Sequence, residues 1–305
     1  MGRDKIHQTS AEKQAAYRQR QTLKRNVTKL QQMVGEVTNP ALRYHGGKFR
    51  LADWIISHFP EHVCYVEPFG GGASVLLTKQ AAEREVYNDL AHDVVNFFRV
   101  LREREDELIR AILLTPYARE EFYNAYEPVC DDPLEQARRF YTRLWQSMSS
   151  SATSTGRNAG WRTQKSSGRA NAIKSFNRTN HLYAVAARFK WVQIEHQEAS
   201  KVIKRYDTPQ TLYYVDPPYV HTTRNEDKRR AYHHEMTDDD HRELAQLLHE
   251  VKGMVILSGY PCLLYDELYG HWRVEKTTTM DMNANEKTEA LWLSPNIPAR
   301  QPMLF

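Results

Sequence analysis

The chain has 305 residues, of which 41% are hydrophobic and 26% are charged, with a formal net charge of +4. This composition is ordinary for a globular protein, and the length allows one large α/β domain or one domain with an insertion. No apolar stretch approaches the roughly 20 residues that cross a bilayer, and the polar N-terminus lacks the apolar core of a signal peptide, so we expect neither a membrane span nor a leader.

The three cysteines bear on the cellular setting. Cys64, Cys130 and Cys262 are widely spaced and odd in number. This pattern favours neither a disulfide framework nor a zinc site. We therefore expect a reducing cytoplasm and no bound metal.

The first segment, residues 1–38, is polar and basic and carries only a thin helical stripe of apolar side chains. We interpret it as a basic N-terminal arm. Its composition is typical of a solvated or partly disordered helix, and an arm that touches the backbone of a nucleic acid is the alternative.

Two glycine-rich segments follow. Tyr44-His45-Gly46-Gly47-Lys48 precedes a predicted helix and is a weak signal on its own. The apolar strand Val63–Val66 leads into Glu67-Pro68-Phe69-Gly70-Gly71-Gly72-Ala73-Ser74, which we call the glycine loop, and then into a helix. Strand, glycine turn and helix form the architecture of a cofactor cradle, because glycines admit a ligand and a helix N-terminus offers free N–H groups.

The glycine loop departs from two common patterns. No Lys follows its last glycine as in a phosphate loop, and Val75 stands where the last glycine of G-x-G-x-x-G would be. An adenosyl ligand other than a dinucleotide or a triphosphate is therefore favoured, and a glycine turn without a ligand is the alternative.

An acidic residue follows the next predicted strand. Glu85–Tyr87 has the apolar pattern of a strand and ends in Asn88-Asp89. An acid at a strand end, about 20 residues after a glycine loop, suits the hydroxyls of a ribose. The helix after it is predicted from the apolar face of Val94, Phe97, Phe98 and Leu101.

A long segment is free of acidic residues. From Gln136 to Ile194 there is no Asp or Glu, whereas eleven Lys or Arg residues occur with interleaved aromatic residues. We interpret residues 136–190 as a target-recognition insertion for a polyanion, and a basic insertion with no target is the alternative. The residues predicted to contact this polyanion, which the family resemblance given below implies to be DNA, are Arg143, Arg157, Arg162, Lys165, Arg169, Asn171, Lys174 and Arg178.

The strand pattern then resumes. Trp191–Ile194 is a predicted strand, and the turn from Gln193 to Glu198 places Gln197 at the same sheet edge as the glycine loop. Leu212–Val215 is a predicted buried strand. Further along, a capping box at Thr237 begins a helix, Met254–Leu257 is a strand, and Glu286–Leu293 is a strand that pairs with Val274–Thr279.

The strand Leu212–Val215 ends in Asp216-Pro217-Pro218-Tyr219, which we call the DPPY turn. Its two prolines prevent further strand pairing and stiffen the turn. An exocyclic amine is a poor nucleophile because its lone pair is delocalised into the ring. The Asp216 carboxylate and the Pro217 carbonyl can accept its two hydrogens, and Tyr219 can stack on a flipped-out base, so the lone pair points at an electrophilic methyl group.

The chain resembles the Dam-like (alpha-class, D12-type) DNA adenine-N6 methyltransferases from about Leu42 to Ser294. The resemblance is carried, in order, by Tyr44-His45-Gly46-Gly47-Lys48, the glycine loop, Asp89, the DPPY turn and Lys287-Thr288-Glu289. The resemblance implies a Rossmann-like α/β methyltransferase sheet, S-adenosylmethionine as cofactor, double-stranded DNA as partner, and a prokaryotic or phage-encoded cytoplasmic protein. It implies a catalytic domain at 39–135 and 191–298, the insertion at 136–190, and a tail at 299–305. Asp216, Pro217, Pro218 and Tyr219 would act in catalysis, and Tyr44, Lys48, Glu67, Pro68, Phe69, Gly70, Gly72, Asp89 and Gln197 would bind the cofactor.

Several alternatives remain at this point. Residues 147–178 do not match the recognition segment of GATC-reading members, so the target site does not follow from the resemblance. An RNA or protein N-methyltransferase and a catalytically silent DNA-binding protein on the same scaffold are the rival readings. Pro261-Cys262 could indicate a cytosine-C5 methyltransferase, but a lone thiol is usually structural.

Overall fold

The computed structural model describes residues 37–127, 131–149, 160–163, 171–223, 234–280 and 286–298. Most of the basic arm at 1–38, the tail at 299–305 and Cys130 lie outside these residues. No helix among the described residues is long and apolar enough to cross a bilayer.

A seven-stranded sheet forms the centre of the described structure. Its strands are β1 (Cys64–Glu67), β2 (Arg84–Asn88), β3 (Gln193–Glu195), β4 (Thr211–Val215), β5 (Met254–Gly259), β6 (Arg273–Met280) and β7 (Glu286–Leu293). Their spatial order is β3-β2-β1-β4-β5-β7-β6. The first five strands are parallel, whereas β7 runs antiparallel to β5 and to β6.

Helices cover both faces of this sheet. In chain order they are α1 (Ala52–Ile56), α2 (Ser74–Thr78), α3 (His92–Glu103), α4 (Glu105–Leu114), α5 (Arg119–Asn124), α6 (Pro133–Gln146), α7 (Ala172–Asn177), α8 (His181–Phe189), α9 (Ala199–Arg205), α10 (Asp238–Glu250) and α11 (Leu263–Tyr269).

Alternate strand residues point into two separate cores, as the period of a strand requires. Tyr65 and Leu212 pack with residues of α2, α3, α6 and α8. Val66 and Tyr213 pack on the other face with residues of α9, α10 and α11. The predicted α/β fold with a Rossmann-like, mostly parallel sheet is therefore confirmed.

The main predicted elements are present. The strands predicted at 63–66, 85–87, 212–215 and 254–257 each match an observed strand to within about a residue or two, which is the usual uncertainty of element ends. The capping box is formed, since Asp240 N donates to the Thr237 side chain and Thr237 N donates to the Asp240 side chain. The last two strands pair as predicted, with Val274 opposite Trp292.

The described part of residues 136–190 is largely helical and shares a core with the catalytic sheet. Phe140 and Leu144 of α6, and Leu182 and Phe189 of α8, belong to the same buried cluster as Leu76. Polar sequence composition hides this packing, because only one face of each helix is apolar. The boundaries of a recognition insertion within this segment remain a prediction.

Candidate active site

Two loops meet at the carboxyl edge of the parallel strands. β1 and β4 are hydrogen-bonded neighbours, with Tyr65 opposite Leu212. The glycine loop follows β1 and the DPPY turn follows β4, so the two loops lie side by side. The strand order reverses between β1 and β4. From β1 the chain continues to β2 and β3 on one side, and from β4 it continues to β5 on the other side. Ligands of open α/β sheets bind at such a switch point.

A cavity of about 550 Å³ opens at this edge, which is a usual size for a small-molecule site. The predicted site residues in its wall are Tyr44, Lys48, Glu67, Phe69, Gly70, Gly72, Asp89, Asp216 and Pro218. Its wall also contains residues that the sequence did not indicate, among them Glu198, Ser200, Met236, Glu243 and Leu247. Pro68, Gln197, Pro217 and Tyr219 are not in the wall.

Close packing requires the glycine at the centre of the glycine loop. Gly70 N donates a hydrogen bond of 2.7 Å to Asn88 O. A Cβ atom at Gly70 would lie 2.3 Å from the Tyr87 ring, which is closer than atoms can approach. Gly71 has a φ of 46°, in the left-handed region that favours glycine. The loop is therefore seated directly on the end of β2.

Asp89 holds the glycine loop from the end of β2. One carboxylate oxygen accepts from Gly71 N at 2.8 Å, and the other accepts from Ala91 N at 2.8 Å. Burial raises the pKa of Asp89, while these two backbone donors oppose the shift. Asp89 thus lines the cavity and positions the loop, and its contact with a ribose remains a prediction.

Asn88 joins two loops to the end of β2. The sequence indicated only that Asn88 lies at the end of a strand and did not reveal this bridging role. Its side-chain nitrogen donates to Pro68 O at 2.8 Å and to Gln197 O at 2.9 Å. Its side-chain oxygen accepts from Gln197 N at 3.0 Å. The Gln197 side chain donates to Glu195 at 2.7 Å, and Gln197 does not line the cavity. Its contact with a cofactor remains a prediction.

The DPPY turn carries an ion pair across the cavity. Lys48 Nζ lies 2.9 Å from Oδ1 and 2.7 Å from Oδ2 of Asp216, and it also donates to Gly46 O at 3.0 Å. Burial raises the pKa of Asp216, Glu289 adds to this rise, and Lys48 opposes it. The net pKa of Asp216 is about 6. Lys48, predicted to contact the cofactor, is thus held against the predicted catalytic carboxylate.

Glu67 is a second buried carboxyl group in the cavity wall. Its Oε1 accepts from the Tyr65 hydroxyl at 2.7 Å and from Leu76 N at 2.8 Å. Burial nevertheless raises the pKa of Glu67 to about 8, and nearby Asp216 adds to the shift. At neutral pH the Glu67 side chain is therefore mainly protonated in the ligand-free protein.

The placement of Tyr219 differs from a simple stacking platform. Its side chain is only 6% exposed, and its hydroxyl donates to Glu289 Oε1 at 2.5 Å. Lys48 Nζ lies 4.9 Å above its ring centroid, and the Tyr260 ring meets it edge-on at 4.5 Å. Stacking of a base on Tyr219 remains a prediction, and Lys48 covers one of the two faces of the ring.

The predicted DNA-binding residues fall into distinct environments. Arg157, Lys165 and Arg169 lie outside the described residues. Lys174 and Arg178 are exposed at α7, while Asn171 caps this helix by accepting from Lys174 N at 2.9 Å. The backbone of Arg162 is tied down, since its N–H donates to Gln146 O at 2.7 Å.

Many cations of the acid-free segment have acidic partners elsewhere in the chain. Arg143, predicted to bind DNA, forms an ion pair of 2.6 Å with Asp93 of α3. The other intramolecular pairs are Arg138 with Glu121 and Glu135, Arg139 with Glu135, Arg188 with Glu85, and Lys190 with Glu105. An absence of local acids therefore does not make every base of the segment available to a polyanion.

Two other chemistries gain no support. Cys262 is half-buried outside the cavity wall, and burial raises its pKa, which disfavours the thiolate that a cytosine-C5 mechanism needs. Within the described ranges, no group of three or more His, Cys, Asp or Glu residues could hold a metal ion.

Comparison with known proteins agrees with this geometry. The sequence model of the D12 class N6 adenine-specific DNA methyltransferases matches residues 44–299, which include the glycine loop, the DPPY turn and all seven strands. The chain belongs to this family.

Relatives in this family carry matching names. The chain is 33% identical over 105 residues to the DNA adenine methylase of Salmonella typhi, covering 32% of this chain and 37% of that protein. It is 36% identical over 70 residues to the DNA adenine methylase of Escherichia coli K12, covering 23% of this chain and 25% of that protein. The DNA N-6-adenine-methyltransferase of Escherichia phage P1 is 29% identical over 111 residues, or 34% of this chain and 15% of that protein. These matches span well under two thirds of each relative.

Proposed function

We propose that this member of the D12 class family transfers a methyl group from S-adenosylmethionine to the exocyclic N6 amine of adenine in double-stranded DNA. One observation carries the proposal. The Asp216 carboxylate, at the start of a stiff proline turn, faces the same cavity as the glycine loop. A hydrogen-bond acceptor for an amine and a cradle for a cofactor therefore share one space.

The residues of the cavity fit S-adenosylmethionine. Besides Glu67, which is mainly protonated at neutral pH, six acidic residues line the wall against Lys48 and Lys204, namely Asp89, Glu198, Asp216, Glu235, Asp240 and Glu243. An acidic wall favours a ligand with sulfonium and ammonium groups and disfavours a triphosphate. We propose that Tyr44, Phe69, Gly70, Gly72 and Asp89 hold the cofactor, which supplies an electrophilic methyl group when bound.

The role of the DPPY turn follows from amine chemistry. We propose that the Asp216 carboxylate and the Pro217 carbonyl accept the two hydrogens of the adenine amine, which favours a pyramidal nitrogen with a directed lone pair. The two prolines keep these acceptors in place without further hydrogen bonding. The excess proton of the methylated amine can pass to Asp216, whose raised pKa suits a proton acceptor near neutral pH.

The target adenine is hidden inside the duplex, so it has to be flipped out to reach Asp216. We propose that residues 136–190 contribute target recognition, with Lys174 and Arg178 as phosphate contacts because both are exposed cations. We also propose a cytoplasmic location in a bacterium or in a phage-infected cell, because the similar proteins come from bacteria and from a phage.

The proposal is tested by incubating duplex DNA with tritiated S-adenosylmethionine. We expect wild-type protein to label N6 of adenine, and Asp216→Ala to lose at least about a hundredfold in rate, since the variant lacks a positioned acceptor. Asp239→Ala, which removes an exposed carboxylate outside the cavity, is the matched control.

The same assay separates the rival functions. A single-stranded RNA of the same sequence tests an RNA methyltransferase. If the wild-type protein binds the duplex but transfers no label to it, a catalytically silent DNA-binding protein is favoured. Sequencing of the methylated product identifies the recognition sequence.

A further inference from the structure

A buried carboxyl group stands behind the DPPY turn, outside the cavity wall. Glu289 lies in β7 and is 3% exposed. Its Oε1 accepts from the Tyr219 hydroxyl at 2.5 Å and from the Ser258 hydroxyl at 3.0 Å. β7 pairs with β5, and β5 pairs with β4, which precedes the DPPY turn. Glu289 therefore reaches the turn from a strand two positions away in the sheet. In the sequence, Glu289 is the last residue of Lys287-Thr288-Glu289, one of the motifs that carry the family resemblance, and it directly precedes the apolar run Ala290-Leu291-Trp292-Leu293.

The surroundings of Glu289 make its presence costly for stability. In the part of the chain that the structure describes, Glu289 accepts hydrogen bonds from two hydroxyl groups and forms no salt bridge. Burial of a carboxylate without a cationic partner opposes folding, and an apolar side chain of similar size would fit a buried strand position at lower cost. Because a buried carboxyl group at this position costs stability, we expect Glu289 to have a function in the neighbouring site.

The contacts of Tyr219 show what Glu289 can control. The ring is fixed by the Glu289 carboxylate at its hydroxyl and by Tyr260 at its edge. The face of the ring carries Lys48 Nζ, which is bonded to Asp216. Glu289, Tyr219, Lys48 and Asp216 thus form one connected set of contacts that joins β7 to the cavity.

We infer that Glu289 is a positioning residue of the proposed methyl-transfer site, acting through the Tyr219 hydroxyl on the DPPY turn. This inference rests on the proposed function. Glu289 does not line the cavity, so it has no direct contact with either ligand. Its effect is to fix the orientation of the Tyr219 ring. The position of this ring in turn sets where Lys48 and an incoming base lie relative to Asp216.

The inference predicts a coupled loss of turnover. Tyr219→Phe and Glu289→Leu each remove the same hydrogen bond from opposite ends. We expect each to lower kcat about tenfold, as loss of one hydrogen bond to a charged group does, with little change in the Kd for S-adenosylmethionine measured by calorimetry. Tyr219→Phe also removes a hydrogen bond from the Tyr219 hydroxyl to Asp216, and Glu289→Leu also removes the contact with Ser258. The loss in the double variant is therefore expected to be smaller than the product of the two single losses, because both changes break one shared interaction.

Stability measurements separate positioning from a merely structural role. Glu289→Leu leaves the buried Tyr219 and Ser258 hydroxyls without their acceptor, so we expect a lower Tm as well as a lower kcat, and kcat is measured well below the Tm of the variant. Glu289→Gln keeps an acceptor at the same place and is expected to recover most of kcat. Glu286→Leu, which changes an exposed carboxylate of the same strand, is the matched control for both measurements.

Each outcome has one meaning. An unchanged kcat in Glu289→Leu, fully additive losses in the double variant, or a loss of kcat that disappears at temperatures well below the Tm overturns the positioning role while leaving the proposed function intact. A wild-type protein that transfers no methyl group to DNA overturns the proposed function, and the positioning role with it.

Discussion

At the scale of single residues, the charge of Asp216 depends on a few neighbours. Burial and Glu289 raise its pKa, while Lys48 lowers it, and the net result is a pKa of about 6. The carboxylate has to be ionised to accept the hydrogens of an amine. The proposed reaction is therefore sensitive to pH just below neutrality.

Lys48 tests this balance. We expect kcat/KM of wild-type protein to fall below about pH 6, where Asp216 becomes protonated. Lys48→Met removes a cation that stabilises the carboxylate, so the pKa of Asp216 rises and the acidic limb of the profile should move up by at least about one pH unit. Lys48→Arg keeps the charge and should leave the limb near its wild-type position. Identical limbs in the Met variant and wild type would show that another group controls the profile.

Glu67 allows a test that needs no ligand. Its pKa is about 8 in the folded protein against an ordinary value of 4.5, so between these values the folded state holds a proton that the unfolded state releases. The contribution of Glu67 to the free energy of unfolding therefore falls as pH rises through this window, by at most about 1.4 kcal/mol per pH unit. Glu67→Gln should flatten the fall, measured by urea unfolding from pH 5 to 8. The exposed Glu286→Gln should keep the wild-type slope.

At the scale of elements, α8 carries a cation that serves the fold. Arg188 is 2% exposed, pairs with Glu85 of β2 and donates to Leu76 O of α2 at 3.1 Å. Lys79 completes this buried group at 2.6 Å from Glu85. The cluster joins α2 and α8 to the strand that supports the glycine loop.

Loss of this cation should therefore affect stability first. Arg188→Met leaves a buried carboxylate with one partner fewer, and we expect the free energy of unfolding to fall by about 3–5 kcal/mol. Lys190→Met, two residues later in the exposed pair with Glu105, should change it by less than about 1 kcal/mol. Urea unfolding measures both. Equal effects would contradict the assignment of Arg188 to the buried network.

These elements also show how far the sequence could be interpreted. The strands and the capped helix follow from local apolar patterns and caps, so they were predictable, and the DPPY turn identified Asp216 by its chemistry. The pairing of Lys48 with Asp216 spans 168 positions, and no local pattern encodes it. Charge counts indicated a basic segment but could not distinguish Arg188, which faces the core, from Lys174, which faces solvent. That distinction depends on which face of each helix packs against the sheet.

At the scale of the whole molecule, opposite charges are arranged in different places. Acidic residues dominate the cavity wall, whereas exposed basic residues such as Lys174 and Arg178 lie on α7 and directly after it. A phosphate backbone is attracted to the second surface and repelled by the first. This arrangement suits a protein that admits one base into an acidic cavity while its partner stays outside.

Salt dependence tests the outer surface. We expect Lys174→Ala and Arg178→Ala each to weaken duplex binding and to reduce the slope of log K against log salt by about 1. Arg139→Ala is the control, because that guanidinium bonds to Glu135 and to the backbone of residues 124 and 127. Binding is measured by fluorescence anisotropy with a labelled duplex. Slopes that match wild type in the two exposed variants would remove α7 from the DNA interface.

The pairing of β1 with β4 has a consequence for when the cavity forms during synthesis and folding of the chain. The glycine loop is synthesised early, at residues 67–74, but its neighbour in the sheet is not made until residues 211–215. Local segments cannot complete the cavity, because closing so long a chain between two parallel strands comes late and slowly in folding. A ribosome-bound chain that ends before β4 thus carries half of a cradle and no acceptor. Ligand binding therefore requires the central strand pair, so it reports on the pairing of β1 with β4.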